Sequence, residues 1–205
     1  MSELDVDRLL HDDWHAFVAW VSPDEAMAVT IVESRGDRTT RPMIWAELEE
    51  VRQTFADLRA AIASDRSRAE TLATTTWTVK DLIAHLASWA VEFRRQVETV
   101  ARGDAFDYVI EFTPRIGPTA WNAREVARRR DQPIEASFDE LDAATAGMQE
   151  LALTLPHDVL FGMATVPQSN DGRPENRWRV RLADLMVMKC WHDRYHLERL
   201  EDVVR

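Results

Sequence analysis

Apolar residues at Ile44, Leu48, Val51, Phe55, Leu58 and Ile62 recur at steps of four, three, four, three and four. At 3.6 residues per turn this spacing draws one unbroken stripe along an α-helix, whereas a strand would alternate its faces every second residue. A helix over 43–66 with one face to bury is therefore expected. A second helix starts at Thr78, which stands three residues before Asp81 in a capping-box arrangement. Its stripe is Val79, Leu82, Leu86, Trp89, Phe93, Val97 and Val100, and Gly103 stops it. A third is expected to open at Ser137, with Glu140 three residues on, to carry Leu141, Met148, Leu151 and Leu155 inward, and to end by Pro156. A fourth runs from about Arg181 to the C-terminus and turns Leu182, Leu185, Met186, His192, His196, Leu200 and Val203 inward.

Four helices with one apolar stripe each bury those stripes most simply against one another, which makes the expected fold an all-α four-helix bundle. About thirty residues separate the second and third helices, long enough for a crossover with a short helix near 119–130. The segment 156–180 is rich in Pro, Gly, Asn and Asp and reads as a loop covering one end of the bundle. Residues 1–40 differ in character: 27–32 is a β-like run and R-G-D-R-T-T-R-P is a turn or linker. They are read as a short N-terminal appendage, either a helix followed by a strand or a hairpin across Pro23 and Asp24, with the bundle occupying 41–205.

The 205 residues, 45% apolar and 30% charged, are enough for a substantial core and exclude a disordered chain or a disulfide scaffold. A formal charge of −11 repels phosphate backbones, so no nucleic-acid partner is expected. The longest stretch low in charge, 151–170, is broken by Pro156, Asp158, Gly162 and Pro167, so no membrane partner is expected either. The single cysteine, Cys190, and a start without basic and apolar signal regions lead to an expectation of cytoplasmic location.

The sharpest chemical feature is W-H-D-R-Y-H, in which His192 and His196 project from one face of the last helix a turn apart and can reach one ion. Two ligands are too few for a stable Zn²⁺ or Ni²⁺ site. His85, between Leu82 and Trp89 on the inward stripe of the second helix, is the natural third, because a buried polar ring needs a partner. Three histidines leave a coordination position open, as a catalytic site requires. An i, i+4 histidine pair also suits a solvated face or a satisfied core. Lys189, one turn before His192, opposes a bound dication unless it turns outward or meets an acid. His11 and His15 form a second such pair in the appendage and are read as surface, as is His157.

W-T-V-K-D-L-I-A-H-L-A-S-W at 77–89, followed near the C-terminus by H-D-R-Y-H-L-E-R-L, resembles the DinB/YfiT-like metal-binding four-helix bundles. W-N-A-R-E-V-A-R-R-R followed by S-F-D-E-L further resembles the ClbS/DfsB-like and the maleylpyruvate isomerase N-terminal branches. The resemblance covers roughly 43–205. It implies a divalent metal, Zn or Ni, on His85, His192 and His196. It also implies thiol-dependent chemistry with bacillithiol or mycothiol, or hydrolysis of a reactive electrophile.

Neighbouring residues have more ordinary readings. Asp81 is a helix cap before it is a hydrogen-bond partner of His85. Glu92 is read as an exposed helix glutamate, with a general base near His85 as the rival reading, and Tyr195 as packing or rim. Trp77, Trp89, Trp121 and Trp191 are core or pocket wall. Cys190 is a buried small residue without a base to activate it, and the arginines at 128–130 form a solvated face, with an anion-docking patch as the rival reading. The expectation is a metal-dependent S-transferase or hydrolase acting on a small-molecule electrophile, with a low-molecular-weight thiol as possible cofactor, working as a homodimer. The competing expectation is a non-catalytic metal- or ligand-binding protein of stress or toxin resistance.

Overall fold

The computed structural model describes residues 39–104, 117–167 and 177–204. The expectations for the appendage, including His11 and His15, lie outside the described residues apart from Thr39 and Thr40.

Helix α1, Arg41–Ser64, opens on Thr40, whose side chain accepts from the Met43 amide, with proline in the first turn, where its missing N–H costs nothing. Its buried residues are the six of the sequence stripe. It ends two residues earlier than expected because Asp65 takes an extended backbone. The Asp65 side chain there caps a 3-10 turn, Arg66–Glu70. Helix α2, Val79–Ala101, has both halves of the Thr78–Asp81 capping box. Beyond its end, Gly103 adopts φ 76°, a backbone region costly for any residue with a Cβ.

Helix α3, Gly117–Arg129, is the expected short helix of the crossover, and it runs back along α2. At one end Trp121 packs on Trp89 with ring centroids 4.7 Å apart. At the other, Lys80 Nζ donates to the Arg130 carbonyl at 2.7 Å, and the Arg130 guanidinium lies 3.4 Å from Asp81. The chain is thereby returned to the start of α2, so α4, Ile134–Thr154, runs parallel to it.

Helix α4 begins three residues before the expected Ser137. Pro133, its φ fixed at −59°, supplies the entry without a side-chain cap, while Ser137 is buried on the inner face. Against α1 it is antiparallel. Arg59 pairs with Asp139 at 2.7 Å, and at the opposite end the Arg41 guanidinium donates to the carbonyls of Ala152 and Leu155, acceptors that the end of a helix leaves unsatisfied.

The segment 156–180 is not the expected loop. It contains a short helix α5, His157–Phe161, and an antiparallel hairpin of β1, Met163–Pro167, and β2, Arg177–Arg181. The register Met163 with Arg181 brings the chain back to the end where α4 finished, so the last helix, α6 (Leu182–Val204), runs opposite to α4. Ala164, Thr165 and Val166 stand opposite Val180, Arg179 and Trp178, residues that suit a ladder, a signal that the proline- and glycine-rich flanks obscured.

The four long helices form a ring in which α1 packs on α4 and α6, and α2 packs on the same two from the other side. Their stripes meet in one core. Helix α2 departs from the single-stripe expectation: Asp81, His85, Ser88, Glu92, Gln96 and Thr99 are buried as well as the apolar positions. Contact with α3 on a third side accounts for part of this burial. No helix among the described residues is long and apolar enough to cross a membrane.

Candidate metal centre

His85 sits in the second turn of α2, held there by the capped helix start. His192 and His196 lie one turn apart on the facing side of α6. All three are buried, 3–6% exposed. Their ring centroids form a nearly equilateral triangle with sides of 5.0 Å (His85 to His196), 5.2 Å (His85 to His192) and 4.9 Å (His192 to His196). One nitrogen from each can be chosen so that all lie within 4.8 Å of one another. Three imidazole nitrogens converging on one point from two helices suit a divalent ion such as Zn²⁺ or Ni²⁺.

Aromatic rings wall the triangle. Trp77 lies 5.1 Å from His85, Trp89 5.8 Å from His192, and Tyr195 5.0 Å from His196. Trp89 is held by a hydrogen bond from its Nε1 to Asn122 Oδ1 at 2.9 Å. Tyr195 accepts from Arg199 at 2.6 Å, so it is part of the site's border, closer to His196 than its helical position suggested.

A family model described as the mycothiol maleylpyruvate isomerase N-terminal domain matches residues 48–187. The chain belongs to this family. The family is one of the DinB-like superfamily, and its all-α fold agrees with the bundle described above. The match takes in His85 but stops short of His192 and His196, so for those two the support is their spacing on α6 and the geometry. Comparisons with curated proteins and with solved structures return no match.

Around this core, some side chains stand as the sequence reading expects and others do not. Lys189 takes the second of its two expected alternatives and meets an acid: it is fully buried and ion-paired with Asp193, which is fully buried too. Glu92 is buried instead of exposed, with Arg95 bidentate on its carboxylate at 2.7 and 2.8 Å. Of the arginine run, Arg128 and Arg130 are exposed as expected, but the Arg129 side chain is only 10% exposed, clamped between Glu125 and Glu140. Cys190 is fully buried, and burial pushes its thiol up to about 12, too high for a thiolate nucleophile at neutral pH. His157 is exposed on α5 beside Phe161.

The sequence reading passes over Asp193 and takes Glu92 for an exposed residue. A Lys–Asp pair at i, i+4 looks the same on a solvated helix face as in a core. The available signal for Lys189 was its setting: it is the only charged residue in 185–191, among Leu185, Met186, Val187, Met188, Cys190 and Trp191, which leaves no wet face there.

Proposed function

We propose that the protein is a divalent-metal-dependent enzyme in which His85, His192 and His196 bind the ion. It would act as an S-transferase or hydrolase on a small electrophile. The observation that carries the reading is the triangle of three buried imidazoles with ligand atoms within 4.8 Å. A bound ion would supply Lewis acidity, lowering the pKa of a low-molecular-weight thiol or of water held at its open position. The chain's own residues do the rest. Capped α2 fixes His85, while Trp77, Trp89 and Tyr195 make an apolar wall that excludes water and offers flat surfaces to a small substrate. Buried Cys190 leaves the thiol to be brought by a cofactor.

The deciding experiment is elemental analysis of the full chain without a histidine tag, beside His85→Ala, His192→Ala and His196→Ala. One equivalent of Zn or Ni in the parent, lost in each variant, supports the site. Metal retained by any one of them removes that residue from it. A metal-loaded protein that binds electrophiles or thiols without turnover points instead to sequestration. The proposal extends to a homodimer joined through exposed apolar residues such as Met43 and Trp45 on α1, which sedimentation equilibrium checks.

A further inference from the structure

Two of the most deeply buried side chains on α6 have no part in the site as assigned so far. Lys189 and Asp193 are both 0% exposed and form an ion pair one turn apart. Lys189 Nζ also donates to Thr145 Oγ1 on α4 at 3.0 Å, and it lies 6.0 Å from the centre of the Phe55 ring on α1. The Thr145 hydroxyl in turn donates a hydrogen bond to the Leu141 carbonyl at 2.9 Å. The ammonium is thus held from three helices. The Asp193 oxygen not facing Lys189 points the other way, toward His192 Nδ1, at 3.4 Å.

We propose that Lys189 and Asp193 are positioning residues for the metal centre, holding His192 with Nδ1 turned to the carboxylate so that Nε2 is the nitrogen offered to the ion. The inference rests on the metal-binding reading above. Its physical basis is an asymmetry. A buried ion pair loses so much hydration that apolar residues of the same volume are often as stabilising, so packing alone does not account for this one. What an apolar pair cannot do is accept a proton from an imidazole. A carboxylate that does so fixes the tautomer and ring orientation and raises the basicity of the opposite nitrogen. Lys189 has a matching role: it neutralises Asp193 in a dry setting, and the carboxylate in turn stands between the ammonium and the site of the dication.

The test compares the tag-free parent with Asp193→Asn and with the double variant Lys189→Met/Asp193→Leu. Zn²⁺ affinity is measured by chelator competition, Co²⁺ absorption reports the ligand field, and thermal unfolding is followed without metal. Asp193→Asn is expected to weaken Zn²⁺ binding about 10- to 100-fold and to alter the Co²⁺ spectrum. The double variant removes both charges, so it is expected to fold at least as stably as Asp193→Asn and still to bind weakly. Parent affinity in Asp193→Asn, or recovery of parent affinity in the double variant, overturns the inference, since a structural pair would be satisfied by repacking. A parent that takes up none of Zn²⁺, Ni²⁺ or Co²⁺ overturns the metal reading itself, a result distinct from a metal-binding parent with unaffected variants.

Discussion

Trp89 Nε1 donates to Asn122 Oδ1 at 2.9 Å, and through this bond the crossover helix α3 holds one wall of the histidine triangle. The Trp89 ring touches both Trp121 and His192, so it joins α3 to the site. Asn122→Ala is expected to leave the bundle folded at a cost of about 1 kcal/mol, the usual contribution of a side-chain hydrogen bond. Urea unfolding reads that loss. An unchanged midpoint would show that the bond does not hold the tryptophan.

The capping box of α2 positions His85 seven residues downstream. Thr78→Ala removes the acceptor of the Asp81 amide and is expected to destabilise the protein by about 1 kcal/mol. Thr78→Ser keeps the oxygen and is expected to recover most of the loss. Equal melting of the two variants would contradict the assignment.

Glu125 links acidity to the stability of α3. Desolvation alone would raise its carboxyl, but hydrogen bonds and charge from Arg129 and Arg128 outweigh it and hold the group below the 4.5 of an ordinary glutamate. A lowered folded value means that the folded state binds fewer protons than the unfolded chain in this range. The contribution is therefore fully present above about pH 4.5, the unfolded value, and is lost as pH falls through the folded one. Glu125→Gln is expected to be less stable than the parent at pH 7, with the difference shrinking toward pH 3. A gap that widens on acidification would reverse the sign.

Cys190 is expected to be chemically silent in the folded protein. Its thiol is fully buried and pushed up to about 12 by that burial, with the Asp193 and Glu47 carboxylates adding to the shift against Lys189 and Arg194. A thiol-specific reagent at pH 8 should leave it unmodified for as long as the chain is native and titrate one equivalent in guanidinium. Prompt labelling of native protein would show that this part of α6 opens.

Much of the bundle is legible in the residues because helical periodicity is local. The six-residue stripe of α1, the Thr78–Asp81 box and the stop at Gly103 each depend on neighbours within a turn or two, and each stands where the spacing puts it. The start of α4 and the strands at 163–167 and 177–181 are not legible in this way. Pro133 and Ser137 offer competing entries that only the burial of Ser137 resolves, and a five-residue strand is stabilised by its partner strand, not by its own pattern.

The sequence by itself determined the elements and the candidate ligands: helical spacing puts His192 and His196 on one side of α6 and His85 on the inward stripe of α2, because side-chain direction along a helix follows from chain geometry alone. Only the tertiary structure decided that the two helices bring those three rings within about 5 Å of one another. It also decided that Lys189, Asp193 and Glu92 are interior while Arg128 and Arg130 stay wet. A charged residue on a helix carries no local mark of burial. Whether it is desolvated depends on which helices pack over it, and here α1, α4 and α6 close around Lys189 from three directions.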